Sequence, residues 1–137
     1  MNQKLTESAI EAFAIKLLER QGYTYVYAPN ISPDGESPER SDYGQVLLLG
    51  RLQQALQRIN PKLSQDTLHV ALKEVQRLSS PDLLANNEVF HRLLTEGVPV
   101  SVQKDGQERG ERVWLIDFAT ENNEFVVANQ FTVIENH

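Results

Sequence analysis

The sequence predicts an α+β fold, helix-rich over its first two thirds and closing in a β-meander. Three observations carry that. Apolar residues recur at helical spacing up to about Glu96, they alternate at strand spacing from Val98 onward, and 40% of the 137 residues are hydrophobic, enough for one core. The length predicts a single domain over residues 1–137.

The first helix has its start written out. Thr6 is placed to cap it, and Glu7 falls in the first turn, where the helix dipole favours an anion. Leu5 and Ile10 have staple spacing, and Ile10, Phe13, Ala14, Leu17 and Leu18 form the expected inward stripe. Gly22 ends the helix and Tyr23 to Ala28 reads as a strand. Pro29 to Tyr43, with its Pro, Gly, Ser and charged residues, is expected to be a surface loop. Helices follow over Val46 to Ile59, broken at Asn60-Pro61, and over Asp66 to Leu78. A third, capped by Ser80 with Pro81 at its first position, is expected to reach Glu96 and stop at Gly97. The meander is then read as Val98 to Gln103, Val113 to Phe118 and Glu124 to Ile134. Lys104 to Gly110 and Thr120 to Asn123 are its turns.

Composition removes several classes of function. With no Cys there is no disulfide framework and no thiolate zinc site. No apolar run is long enough to span a bilayer, and the N-terminus lacks a signal-peptide core, so a cytoplasmic protein with no membrane partner is expected. A net charge of -6 argues against tight binding of DNA by this chain alone. His69, His91 and His137 lack the spacing of a zinc helix, and neither Gly44 nor Gly50 opens a phosphate-binding loop.

Four residues stand out as site candidates. Glu7 shares the stripe of Ile10 and Ala14, with Glu11 one turn further on. It reads either as a first-turn anion serving the dipole or as a metal-facing or relay carboxylate at the sheet edge. Asp117 falls on the same strand face as Val113 and Leu115, at the strand end before an Asx-rich turn. Asn129 and Gln130 interrupt an apolar strand, where a buried amide needs partners. Pro81-Asp82 imitates a nuclease motif but fits a helix start better, because no acid-x-Lys strand follows it.

The landmarks, taken in order, resemble the N-terminal part of the restriction (R, motor) subunit of type I restriction-modification enzymes. They are Leu5-Thr6-Glu7-Ser8-Ala9-Ile10-Glu11, Leu17-Leu18, Gly22-Tyr23, Arg51-Leu52, Ala55-Leu56 and Asn60-Pro61. They continue with Asn87, Phe90-His91, Leu94, Gly97-Val98, Leu115-Ile116-Asp117-Phe118 and Asn123 to Val133. The resemblance implies the incomplete front part of a PD-(D/E)xK-like nuclease fold in an ATP-dependent type I site-specific deoxyribonuclease. Mg²⁺, ATP, DNA, a helicase motor and the modification and specificity subunits would belong to the parent. The family's Pro-Asp and acid-x-Lys strands follow the stretch matching Asn129 to Val133, so these residues are expected to be a fragment, inactive alone. The resemblance gives Glu7 an auxiliary catalytic role and leaves Asn129, Gln130 and Asp117 supporting ones. The alternative is a free-standing acidic interaction module that docks on restriction complexes.

Overall fold

The computed structural model describes residues 6–77 and 83–135. In chain order its elements are α1 (Glu7–Arg20), β1 (Thr24–Tyr27), α2 (Ala28–Ile31), α3 (Leu49–Ile59), α4 (Gln65–Gln76), α5 (Leu83–Glu96), β2 (Val98–Lys104), β3 (Gln107–Val113) and β4 (Val126–Asn129). Mixed helix and sheet agree with an α+β class. The chain divides into two compact units, one of Met1–Leu49 with Glu124–His137, the other of Gly50–Asn123.

In the first unit β1 and β4 pair in parallel, Thr24 opposite Val126 and Tyr27 opposite Asn129. The Thr6 hydroxyl accepts the Ala9 N–H at 3.1 Å and caps α1, and Gly22 takes a left-handed φ of 100° just beyond it. The stripe that α1 half-buries is Glu11, Ile15 and Leu18, rotated from the expected one. Ile10, Phe13 and Leu17 are exposed, Phe13 to 69%. Helical spacing identifies a family of parallel stripes; which of them meets β1 and β4 depends on where those strands lie.

The stretch after β1 holds more structure than a Pro- and Gly-rich composition suggests. Ala28, Ile31, Ser32 and Arg40 are buried. Arg40 donates from Nε to the Gln45 carbonyl at 2.8 Å and from Nη2 to the Tyr43 carbonyl at 3.0 Å, and its guanidinium lies 4.1 Å from the centre of the Phe131 ring. A charge taken out of water needs such partners. A side chain at Gly35 would run into the Pro29 and Asn30 carbonyls, so this turn closes only on glycine.

In the second unit α4 packs on the antiparallel hairpin of β2 and β3. Leu56, Leu68, Ala71, Val75, Val98, Val100, Val113 and Leu115 form its core. Ser64 caps α4, accepting the Thr67 N–H at 3.2 Å. The hairpin turns on Asp105 and Gly106, at φ 53° and 76°, the pair of positive φ values a tight two-residue turn demands. β3 is polar along most of its length, so alternation could not reveal it. The expected cap at Ser80 and Pro81, and Asp82 beside them, lie outside the described residues.

The three-stranded meander does not form. Val113 to Phe118 leaves the sheet after Val113, and the last strand shortens to Val126–Asn129 and pairs with β1 instead. The reason lies in two asparagines. Asn60, buried at the end of α3, receives the Trp114 N–H at Oδ1 (2.9 Å) and donates from Nδ2 to the Trp114 carbonyl (2.8 Å) and the Leu56 carbonyl (3.0 Å). Asn123 treats Asp117 the same way, accepting its N–H at 2.8 Å and donating to its carbonyl at 2.7 Å. Backbone groups that a neighbouring strand would pair are satisfied by carboxamides. Beyond β4, Gln130 adopts a left-handed φ of 57° and ends the strand.

Asp117 therefore sits in a turn and not at a strand end. Its Oδ1 accepts the Ala119 N–H at 3.0 Å, and its Oδ2 accepts the Asn122 N–H and Nδ2, both at 3.1 Å. These donors, Ala119 first, hold its carboxyl below the ordinary aspartate pKa.

Two tests follow from these clamps. Asn60→Ala strands two backbone groups of Trp114 and is expected to cost roughly 2–4 kcal/mol, read from urea unfolding. Asp117 has a folded pKa below its unfolded one, so its contribution is full above the unfolded value and is lost as pH falls through the folded value. The gap in urea midpoint between the parent chain and Asp117→Asn should be widest near neutrality and narrow on acidification.

Candidate functional site

Two of the sequence candidates in the first unit, Asn129 and Gln130, lie where β4 ends beside α1. The two-residue side-chain period puts Tyr25 in β1 within reach of Asn129 in β4 across the parallel pair. The Tyr25 hydroxyl donates to Asn129 Oδ1 at 2.8 Å. Gln130, turned by its left-handed φ, reaches the helix and donates from Nε2 to Glu11 Oε1 at 2.9 Å. The cluster thus comprises two hydrogen-bonded pairs joined through the neighbouring residues Asn129 and Gln130, Tyr25–Asn129 part-buried between the strands and Glu11–Gln130 exposed at the helix.

Glu11 is the acid that the fold brings to Gln130. Glu7 is exposed in the first turn of α1, one turn earlier on the same helix. Asp117 belongs to the second unit, where it organises its own turn. Sequence reasoning singled out Glu7 and missed Glu11 and Tyr25 as cluster members. The available signal was the spacing of Glu11, Ile15 and Leu18, which mark one helical stripe with an acid at its N-terminal end.

The chemistry of this set is hydrogen bonding and orientation. One carboxylate, with an oxygen already engaged by Gln130, supplies too few oxygens to hold Mg²⁺ by itself. Among the described residues no three His, Asp or Glu side chains gather as a metal site. His69 and His91 are exposed on α4 and α5, and His137 lies outside the described residues.

Charge is unevenly divided. The first unit carries four Lys and Arg against nine Asp and Glu, the second nine against ten. Nearly all of the net negative charge belongs to the first unit, which holds the Glu11 cluster. No helix among the described residues is long and apolar enough to cross a membrane.

Comparison with known proteins places these features in a family. Residues 4–137 match the model of the type I restriction enzyme R protein N terminus. A relative in Methanocaldococcus jannaschii, named as the MjaIXP type I restriction enzyme endonuclease subunit, is 35% identical over 132 residues, covering 95% of this chain and 12% of its own length. The type I restriction enzyme HindI endonuclease subunit of Haemophilus influenzae is 29% identical over 130 residues, covering 94% of this chain and likewise 12% of its own length. The chain spans about an eighth of the length of both relatives. No solved structure matches it. The chain belongs to the family of type I restriction enzyme R protein N-terminal regions and corresponds to an N-terminal part of the R subunit.

Proposed function

We propose that this chain forms the front part of a PD-(D/E)xK-like nuclease domain in a longer R subunit that cleaves unmodified foreign DNA. The observation that carries the reading is the family match running from residue 4 to residue 137. The parallel β1–β4 pair supports it. Four residues a side make a marginal sheet, and a parallel pair is stable when further strands and helices cover it. An arrangement in which the Pro-Asp and acid-x-Lys strands continue this sheet would supply both cover and catalytic carboxylates.

In that reading Glu11 and Gln130 fix how β4 meets α1, and Asn129 with Tyr25 fixes β4 against β1. Glu7 is the auxiliary carboxylate at the open end of α1. Asp117 shapes a turn and takes no part in chemistry. The parent would use Mg²⁺ held by oxygen ligands, ATP in a motor outside this sequence, DNA as substrate, and modification and specificity subunits as partners, in the cytoplasm. The concentration of negative charge in the first unit favours a second reading, an acidic module that docks on a restriction complex without cleaving DNA.

Phage plating separates the two readings. In a host carrying the parent system, an R subunit lacking this region should lose restriction while its complex still assembles and hydrolyses ATP. Loss of assembly would favour the docking module. The purified 137-residue chain should show no Mg²⁺-dependent nicking of plasmid DNA, and cleavage abolished by Glu7→Ala would overturn that expectation. In the intact enzyme, Glu7→Ala should lower DNA cleavage by about tenfold or more with ATP hydrolysis unchanged, a magnitude typical of outer carboxylates around a metal site. Equal cleavage rates would remove Glu7 from the site.

A further inference from the structure

The second unit carries an aromatic recess that the nuclease reading leaves unused. Ile59, Trp114, Ile116, Asp117, Phe118 and Ala119 line an opening of about 250 Å³. The Trp114 and Phe118 rings stand edge to face, 6.3 Å apart and at 88°. Both are unusually open for aromatic side chains, 37% and 63% exposed. Neither is loosely hung. Asn60 grips the Trp114 backbone at both its N–H and its carbonyl, and the Asp117 turn fixes the segment that bears Phe118. Apolar rings held this firmly in water are pre-organised for a planar ligand.

One cation packs on the Trp114 ring and another bonds to the Asp117 turn. The Arg112 guanidinium lies 5.9 Å from the Trp114 ring centre and donates to the Glu96 carbonyl. Arg58, next to Ile59 in the chain, donates from Nε to the carbonyl of Asn122, the residue that also binds the Asp117 carboxylate. Both acceptors are neutral carbonyls, so neither bond cancels the guanidinium charge. The Asp117 carboxylate is turned onto its own loop's N–H groups. An occupant that satisfies this surface is flat, aromatic and anionic. An apolar peptide would cover the rings and leave both cations unmatched.

We propose that the Trp114–Phe118 recess binds an unpaired nucleobase of a single strand, with Arg58 and Arg112 facing the adjoining phosphates. Stacking on an aromatic pair with neighbouring guanidiniums is sequence-tolerant recognition, because every base offers a π-face. Paired bases hide those faces, so duplex DNA is a poor ligand for the recess. Its location in the nearly neutral unit fits, since the anion meets less repulsion there than in the acidic one. This inference goes beyond the nuclease reading and requires no cleavage.

Trp114 is the only tryptophan of the chain, so its emission reports on the recess directly. Titrating the full chain with a short oligothymidylate at low salt should quench that emission, and Phe118→Ala should weaken binding about tenfold. Arg112→Gln should flatten the salt dependence of the affinity. Circular dichroism checks that both exposed-site variants keep the fold. No quenching at low salt, undiminished binding by Phe118→Ala, or equal affinity for a blunt duplex of the same length would each overturn the proposal. Restriction of phage by the parent is read independently, so failure here leaves the nuclease reading standing.

Discussion

The second unit depends on one interaction, the grip of the Asn60 carboxamide on the Trp114 backbone. An asparagine side chain carries the same donor and acceptor as a peptide group, so a buried one can take the place of a strand neighbour. Here it does so at the end of α3, against the first residue beyond β3. The consequences spread outward. β3 stops at Val113, Leu115 stays in the core without a ladder, and the Trp114 ring is left near the surface on a fixed backbone. Asn123 repeats the device on Asp117. Between the two clamps the chain is irregular yet anchored.

Local chemistry was plain in the sequence. The Thr6 cap, the Gly22 stop and the Asn60-Pro61 break are each decided by a few neighbouring residues, and each appears where the sequence puts it. What stayed hidden depends on residues far apart. VWLIDF has the composition of a strand, but a side chain 54 positions away holds the backbone groups a strand partner would need. The polar β3 carries no alternation to read, and only the Asp105-Gly106 pair betrays the hairpin. Among site residues, the amides Asn129 and Gln130 stood out inside an apolar run and both hydrogen-bond, but Asn129 is only half-buried and Gln130 is exposed. Glu11 did not stand out, because choosing among the stripes of α1 requires knowing where β4 lies.

The division of charge gives the net value of -6 a location. Averaged over the chain it describes a uniformly acidic protein. Resolved by unit, it describes an acidic parallel-strand unit and a second unit close to neutrality. Screening confines exposed charges to a range of about 8 Å at physiological salt, so what an anionic ligand meets is set locally.

The parallel pairing of β1 with β4 joins these points. Parallel strands require a long connection, and here that connection contains the whole second unit. Tyr25 and Asn129, which bond directly, are 104 residues apart in sequence. Closing so long a loop costs entropy that two four-residue strands do not repay, whereas a connection already folded on its own core behaves as a much shorter one. The Tyr25–Asn129 and Glu11–Gln130 bonds then hold β4 to β1 and to α1 in the register observed.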